Sequence, residues 1–325
     1  MFCSMFFQSF LLLLVVVGIS DAIIPTPAVL VVGSINADLF IPLDRLPESG
    51  ENVVAKDNDG RYIAGGKGAN TAVSCSRLGI PTLFCCMFGD DDNAKMLRHV
   101  MMDNKVDIST CQQVEKPSGT GLVFLQEDGS VSAVVLGGSN LAWPTTFDAI
   151  KLIEECKKGQ PVACIMLQME VPHWVNEAVA VAAEQAGIPV FQDVGGAERP
   201  ISSAHLKRCT FLSPNLSELK RLSQLPVTTE DEILLAAQSL QQQGAHNVLV
   251  TMGSQGSMLL TESGQILKQP CMLVQQVVDE TGAGDNYRAA FVVSHYVEKK
   301  SLQESMQFAA ASGAVAVMKL GAIPS

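Results

Sequence analysis

The sequence has few basic residues and no internal repeat. It contains 22 Lys and Arg against 33 Asp and Glu, for a formal net charge of −11. A protein that binds nucleic acid needs a basic face, so this composition argues against a nucleic-acid partner. Heptads and interdomain linkers are also missing beyond the N-terminal leader. With 325 residues, 47% of them hydrophobic, the chain can form one large core or a core with a small appendage.

Cysteine patterns typical of metal sites are missing as well. The nine cysteines include no Cys-x-x-Cys pair and show no spacing typical of metal ligands. Several lie in apolar runs, such as Cys164 within residues 162–167, where a buried reduced thiol is expected. The cysteines therefore favour neither structural zinc nor disulfide bonds.

One glycine-containing segment combines an anion-binding loop with a carboxylate. Gly282-Ala283-Gly284-Asp285 stands directly before a helix-forming run. Backbone N–H groups at a helix N-terminus favour bound negative charge, and Asp285 would lie at the mouth of the loop. Phosphoryl transfer needs both parts, donors for phosphate charge and a carboxylate that accepts a proton. The alternative interpretation is an ordinary helix N-cap.

Two further segments suggest where a polyol would be held. The run Gly65-Gly66-Lys67-Gly68-Ala69-Asn70 allows close approach of the backbone and offers donors from Lys67 and Asn70, but it is not a Walker P-loop. Asn36 and Asp38 follow the strong strand at residues 29–32, and open α/β sheets bind ligands at the carboxyl ends of strands. Taken singly, Asn and Asp after a strand are more often turn formers.

These segments, in this order, resemble motifs of the ribokinase-like (PfkB) carbohydrate kinase family, from about Val29 to Ser325. Residues 34–38, 65–70 and 167–172 look like its sugar-binding motifs. Residues 213–218 are similar to its Asn-x-x-Glu motif, and residues 251–256 look like its nucleotide loop. The segment at 282–285 resembles its anion hole and catalytic base.

The alternation of apolar strand-length runs with helical stretches predicts an α/β fold with a parallel sheet covered on both faces. The resemblance makes this a three-layer α/β/α sandwich with a mostly parallel central sheet and a small β-sheet lid. We expect one kinase domain at residues 29–325, with the lid formed by about 39–63 and 117–136. The second lid segment should be a hairpin that turns at Asp128-Gly129. An ordinary surface hairpin is the alternative.

The resemblance also implies an activity and residue roles. It implies transfer of the γ-phosphate of ATP to the 5-hydroxyl of D-ribose, with Asp285 as base and the N–H groups of Gly282, Ala283 and Gly284 as anion hole. The residues implied to bind the sugar are Asn36, Asp38, Gly65, Gly66, Lys67, Asn70, Glu170 and Asp285. Those implied to bind the nucleotide are Asn215, Thr251, Gly253, Ser254, Gly256, Gly282, Ala283 and Gly284.

Two ions and a second subunit are implied in the same way. Asn215 and Glu218 would hold Mg²⁺ through water. A K⁺ site would be formed by Asp279, Thr281, Ala316, Lys319, Gly321 and Ser325. The lid would pair with its twin in a homodimer. The alternatives are another kinase of the family, for fructose, nucleosides or pseudouridine, and a non-catalytic sugar-binding protein.

The chain departs from the family pattern at three places. Glu280 stands where Thr, Ser, Pro or Val is usual, and Asn286-Tyr287 replaces the common Thr/Ser-Phe after the base. The sequence stops at Ser325, where family members continue into a last helix, so we expect exposed apolar surface and lower stability.

The N-terminal leader, residues 1–28, is like the hydrophobic region of a signal peptide, but no Lys or Arg precedes Arg45. The chain's one N-x-[ST] site lies at Asn215, where a glycan would block the implied phosphate motif. A cytoplasmic or organellar location is expected, with secretion as the disfavoured alternative.

Overall fold

The computed structural model of the protein describes residues 25–56, 62–127, 131–319 and 321–323. Most of the predicted leader, the predicted turn at Asp128-Gly129 and the predicted cation ligand Ser325 lie outside the described residues. Within the described part, no helix is long and apolar enough to span a membrane.

A large sheet forms the middle of the molecule. Its strands are β1 Ala28–Val32, β4 Thr82–Cys85, β9 Val162–Met169, β10 Val190–Gly196, β11 Phe211–Ser213, β12 Asn247–Thr251, β13 Ser257–Leu260 and β14 Ile266–Gln269. They lie in the order β14-β13-β12-β11-β10-β9-β1-β4. All pairings from β4 to β12 are parallel, whereas β13 and β14 pair antiparallel at one edge. The prediction of a mostly parallel sheet is confirmed.

Helices cover both faces of this sheet. They are α1 Lys67–Arg77, α2 Asp92–Asp103, α3 Ala149–Gly159, α4 His173–Ala186, α5 Ser203–Leu206, α6 Leu216–Ser223, α7 Glu230–Gln243, α8 Ala283–Val292 and α9 Leu302–Ala316. Val29 and Val31 of β1 share a core cluster with side chains of α1, α2, α8 and α9. Leu30 and Val32 share a core cluster with α3 and α4 on the opposite face. Because side chains alternate along a strand, β1 is buried on both sides, and the three-layer prediction is confirmed.

A separate small sheet has the strand order β3-β2-β7-β8. Its strands are β2 Asn36–Leu43, β3 Tyr62–Gly65, β7 Gly119–Gln126 and β8 Val131–Leu136. The β7–β8 pairing is antiparallel, as the hairpin prediction requires, and β2 pairs parallel with β7. The small sheet begins at Asn36, so the structure places Asn36 and Asp38 on a strand of this sheet rather than in a turn after β1.

A two-stranded parallel pair, β5 Met87–Phe88 and β6 Gln112–Gln113, connects the two sheets. The chain runs from β4 directly into β5, and from β6 it continues to β7 of the small sheet. The Asp91 carboxylate caps α2 by accepting the Ala94 N–H, and it also accepts the N–H and hydroxyl of Ser118. The segment around β5 and β6 therefore anchors the base of the small sheet.

Candidate active site

Asp285 lies in the first turn of α8 with only 4% of its surface exposed. Asn70 donates its side-chain N–H to Asp285 Oδ2 at 2.9 Å, and the Lys67 ammonium lies 3.2 Å from Oδ1. Both donors come from the start of α1, more than 200 residues away in sequence. The structure thus brings together the two glycine-containing motifs that the sequence singled out.

The start of α8 depends on glycine. Gly282, the N-cap, has φ of 76°, a left-handed conformation that disfavours side chains. A Cβ placed on it would also lie 2.3 Å from Ala322 Cβ. The helix therefore begins at Ala283, three residues before the predicted start at Asn286, and Asp285 falls within the first turn. The Ala283 N–H donates to the Glu280 carbonyl at 3.2 Å.

Two cations and two further carboxylates form one network around Asp285. The Lys67 ammonium lies 3.1 Å from Asp193 Oδ2, and Arg288 Nη1 lies 3.4 Å from the same oxygen. Arg288 also donates to the hydroxyl and carbonyl of Ser213 at 3.1 Å and lies 3.8 Å from Glu218 Oε2. The Lys67 side chain keeps 25% of its surface exposed, against 6% for Asp285, so the network opens to solvent through Lys67.

The network fixes the charge states of its members. Burial alone would raise the pKa of Asp193, but Arg288 and Lys67 hold that pKa below its usual value. Burial alone would lower the pKa of Lys67, but Asp193 and Asp285 raise it above the usual value. Lys67 is therefore a permanent cation beside Asp285.

Glu170 connects the network to the segments at residues 34 and 67. Its Oε2 accepts the Ser34 hydroxyl at 2.5 Å and the Lys67 N–H at 3.0 Å. Burial raises the pKa of Glu170, although Lys67 opposes the shift. The Ser34 hydroxyl in turn accepts the Gly68 N–H at 3.3 Å.

Asp38 is packed between two glycines of neighbouring strands. A Cβ on Gly65 would lie 2.0 Å from Asp38 Oδ2, and a Cβ on Gly121 would lie 2.3 Å from Oδ1. Burial and the nearby Glu170 raise the pKa of Asp38 to about 6, although a Gly121 N–H lowers it. Asp38 Oδ1 has no hydrogen-bond partner among the described residues. Asn70 Oδ1 is unpaired within that same part of the chain.

Asn36 is held by a residue that the motifs did not include. Asn140 lies in a 3₁₀ turn at Gly138–Leu141 and donates to Asn36 Oδ1 at 2.7 Å. It also exchanges hydrogen bonds with the backbone of Ile35, at 2.9 and 3.1 Å. Gly66, with φ of 90°, packs its Cα against the same backbone, so a Cβ there would lie 2.9 Å from the Asn36 nitrogen.

The predicted nucleotide motifs lie beside one another at the ends of β11 and β12. Asn215 and Glu218 form a reciprocal capping box at the start of α6. The Thr251 N–H donates to the Pro214 carbonyl at 3.0 Å, which places the loop after β12 next to Asn215. Gly253 and Ser254 are exposed there, and Gly256 has φ of 89°. Glu218 reaches the network through Arg288, whereas in the described part of the chain no hydrogen bond or ion pair joins Thr251, Gly253, Ser254 or Gly256 to Asp285.

Three of the residues expected to form a K⁺ site are joined by hydrogen bonds. Asp279 Oδ1 accepts the N–H and hydroxyl of Thr281, at 2.9 and 2.7 Å, and Oδ2 accepts the Gly321 N–H at 2.8 Å. Ala316 ends α9, and its carbonyl accepts the Lys319 N–H at 3.4 Å, so Lys319 lies in the turn after this helix. Among the described residues, no group of three or more His, Cys, Asp or Glu side chains could hold a metal ion.

Sequence reasoning missed three residues of this site, Asn140, Asp193 and Arg288. It included Ser34 in the 34–38 motif, but without the contact to Glu170. Asp193 had an available signal, because it ends a strand-length apolar run, and carboxyl ends of parallel strands meet at one edge. Arg288 stands three residues after Asp285 and so shares its helix face. Asn140 gave no signal, since its partner is 104 residues away.

An α/β/α sandwich with a small second sheet, a buried aspartate at a helix N-terminus and a paired lysine defines a phosphotransferase that acts on a sugar-like hydroxyl. The chain belongs to the pfkB family of carbohydrate kinases, whose family model matches residues 26–325.

Individual relatives agree with this membership. The ribokinase of Arabidopsis thaliana is 39% identical over 305 residues, which cover 92% of this chain and 78% of the relative. The deoxyribokinase of Salmonella typhi is 30% identical over 300 residues, with coverage of 90% and 92%. A solved structure of Arabidopsis thaliana ribokinase complexed with ribose and ATP matches with a TM-score of 0.84 and 38% identity, covering 92% of this chain and 95% of that one.

Proposed function

We propose that the protein transfers the γ-phosphate of ATP to the 5-hydroxyl of D-ribose, giving ribose 5-phosphate and ADP. The observation that carries the proposal is the buried Asp285 at the start of α8, contacted by Asn70 and Lys67 of the segment resembling a sugar motif. Similarity to ribokinases over nine-tenths of the chain supports the choice of acceptor.

Asp285 accepts the proton of the attacking hydroxyl in this proposal. Its position in the first turn of α8 puts it beside the amides of Gly282, Ala283 and Gly284, which hold the charge that develops on the phosphoryl group. The Lys67 ammonium contacts both Asp285 and Asp193. These two contacts hold it in place, where it neutralises negative charge at the site.

The unpaired acceptors suit a polyol. Asp38 Oδ1 and Asn70 Oδ1 are buried and lack a donor within the described residues, and a sugar hydroxyl can donate to each. The other residues proposed to bind the sugar are Asn36, Glu170, Gly65, Gly66 and Lys67. Among them, Asn36 is held by Asn140 and Glu170 by Ser34. A site built from such hydrogen bonds rejects analogues that lack the matching hydroxyl.

A divalent metal fits beside Glu218. A Cβ on Gly195 would lie 3.0 Å from Glu218 Oε1 and 2.6 Å from Lys67 Nζ, so this oxygen faces the same space as the Lys67 ammonium. One carboxylate and the amide oxygen of Asn215 suit Mg²⁺ held through water. Bound there with ATP, Mg²⁺ would neutralise phosphate charge. Asn215, Thr251, Gly253, Ser254 and Gly256 would bind the nucleotide.

Potassium fits the loop before α8. Asp279 already joins this loop to the turn after α9 through Thr281 and Gly321, and the set of oxygen donors there suits a large hard cation. Ala316, Lys319 and Ser325 would complete the site. We expect higher activity in K⁺ than in Na⁺ at equal ionic strength, and equal activity in both would contradict this assignment.

A homodimer through the small sheet is the proposed assembly. β8 is an edge strand, and Val134, Val135 and Leu136 are each more than half exposed. An exposed apolar edge strand favours pairing with another strand. Val135→Lys should convert a dimer into a monomer in analytical ultracentrifugation, and a monomeric parent protein would contradict the assignment.

The decisive experiment is an ADP-release assay across D-ribose, 2-deoxyribose, fructose, adenosine and pseudouridine. We expect the highest kcat/KM for D-ribose. The 30% identical deoxyribokinase makes 2-deoxyribose the main rival, and the two sugars differ by one hydroxyl. A preference for deoxyribose would overturn the choice of acceptor but keep the kinase, whereas ADP release with none of the five would overturn both.

A further inference from the structure

Two thiols lie side by side next to the two-stranded pair, β5 and β6, that connects the two sheets. Cys86 Sγ and Cys111 Sγ are 3.5 Å apart, although 25 positions separate them in sequence. They directly precede the paired residues Met87 and Gln112 of β5 and β6, and the Gln112 N–H donates to the Cys86 carbonyl at 3.2 Å. Neighbouring strands are about 4.8 Å apart. That spacing lies within the Cα separation of about 4.4 to 6.8 Å that a disulfide needs.

The surroundings select this pair among the cysteines. Cys85 precedes Cys86, but successive strand side chains point to opposite faces, and the two belong to different core clusters. Cys111 is half-buried, whereas Cys86 is fully buried. A soluble oxidant therefore meets Cys111 first, and Cys86 is the partner within reach.

We propose that Cys86 and Cys111 are a modification site that forms a reversible disulfide by exchange with a low-molecular-weight disulfide such as oxidised glutathione. The Cys111 thiolate attacks one sulfur of the small disulfide, which breaks its S–S bond and releases one thiol. The Cys86 thiolate then attacks the Cys111 sulfur and releases the second thiol. The two protein thiols lose two electrons and two protons in total, and the small disulfide is reduced to two thiols.

The Cys86–Cys111 disulfide would close a covalent ring of the chain at the base of the small sheet. The ring contains α2 and its capping residue Asp91, which also holds the N–H and hydroxyl of Ser118, one residue before β7. A covalent link between β5 and β6 would restrict this anchor in the unfolded chain and so stabilise the fold. The proposal rests on this geometry and not on the kinase reaction.

The closing step should depend on pH. Burial, together with the hydrogen bond to Cys111, raises the pKa of Cys86 well above its usual value. Because this pKa lies well above both pH values, the thiolate fraction of Cys86 rises about tenfold per pH unit, so ring closure should be about 30-fold faster at pH 8.5 than at pH 7.

The test is non-reducing peptide mapping of the full chain after incubation with oxidised glutathione. Trypsin cuts after Lys95, Arg98 and Lys105, all between the two cysteines, so their peptides stay joined only through a disulfide. We expect the joined pair, a mass loss of two hydrogens, and a rise in Tm of about 5 °C that dithiothreitol reverses.

Cys85→Ala is the matched control, because this cysteine is equally buried and adjacent in sequence. It should retain the disulfide, whereas Cys86→Ala should lose it and keep glutathione on Cys111. If Cys86→Ala fails to fold, Cys111→Ser at the half-buried position should show the same loss. A wild-type chain that keeps free thiols, stops at the mixed disulfide or pairs Cys111 with Cys85 would overturn the proposal.

Discussion

Asp285 and Asp38 both belong to the candidate site, but their carboxylates have different surroundings. Asp285 receives one donor on each oxygen, from Asn70 and Lys67, and lies in a network that also holds the Arg288 guanidinium. Asp38 has an unpaired oxygen within the described part of the chain, and its pKa is raised to about 6. In the proposed reaction, the end that would bind phosphate is thus organised before any ligand arrives, whereas the end that would bind the sugar keeps an acceptor for the ligand.

The largest effect should come from the organised end. Asp285→Asn keeps the shape and the contact with Asn70 but removes the proton acceptor. We expect kcat to fall by about 10³-fold, with little change in ribose affinity, since general-base catalysis contributes about 10² to 10⁴. Steady-state kinetics and calorimetric ribose binding would measure the two effects separately. Near-normal kcat in this variant would remove Asp285 from the base role.

Lys67→Met should damage both stability and turnover. It leaves Asp193 and Asp285 without their shared cation, although Arg288 still faces Asp193. We expect kcat to fall by about 10²-fold and the free energy of unfolding to drop by about 2 kcal/mol, less than for a fully buried pair because Lys67 is partly exposed. Urea unfolding measures the second quantity. Lys67→Arg, which keeps the charge, is the matched control, and equal losses in both variants would argue against the charge as the cause.

Asp38→Asn should act on binding rather than on turnover. The change removes an ionised acceptor of a sugar hydroxyl, and hydrogen bonds to charged groups contribute about 1.5 to 3 kcal/mol. The KM for ribose should therefore rise by roughly 10- to 100-fold, while kcat changes little. Ser257→Ala, which breaks a hydrogen bond to Tyr287 outside the sugar segments, is the control and should leave KM unchanged. A large fall in kcat with constant KM would place Asp38 in the chemistry instead.

The smallest effect is a pH dependence that follows from the raised pKa of Asp38. Its folded-state pKa of about 6 lies above the ordinary value of 3.8, so folding disfavours the ionised form. This carboxylate therefore costs stability above pH 6, and the cost disappears below about pH 4. In ligand-free protein, Asp38→Asn should be more stable than the parent at pH 7.5 by about 1 to 2 kcal/mol.

Ribose binding should show the opposite preference. Protonation of Asp38 below pH 6 removes one acceptor, so the KM for ribose should rise several-fold between pH 7.5 and pH 5 in the parent chain and stay flat in Asp38→Asn. Parallel KM profiles for the two chains would exclude Asp38 as the titrating group. Together, the two measurements would distinguish the stability that the unpaired Asp38 oxygen costs the free protein from the ribose affinity that it provides.

Motifs were predictable where one short segment determines both the backbone conformation and the reactive side chain. Gly282 and Asp285 lie within four residues, and their backbone and side-chain roles follow from one helix start. The parallel sheet was predictable too, because β1 is apolar on both faces. The antiparallel strands β13 and β14 were not predicted, because β13 has only four residues, although all are buried, and the edge strand β14 is partly exposed.

The pairing of charges across the sheet could not be obtained from the sequence. Lys67 contacts Asp193 across 126 positions, and nothing local distinguishes that aspartate from one that ends any buried strand. Arg288 would pass as a solvent-facing residue of a helix, yet it is 3% exposed. Such contacts depend on which strands become neighbours, which is a property of the whole topology. The roles of Asp285 and its neighbouring amides, of the sugar-binding residues, of Asp279 and Thr281, and of the nucleotide loop stay predictions.

The packing of Asp38 between Gly65 and Gly121 limits how this chain can diverge. Any side chain at either glycine would occupy the volume of the carboxyl group, since an added Cβ would lie 2.0 or 2.3 Å from its oxygens. A lineage that evolves toward a different sugar must therefore replace the aspartate before either glycine can change. Mutational histories should show that order, with both glycines invariant as long as the acid persists.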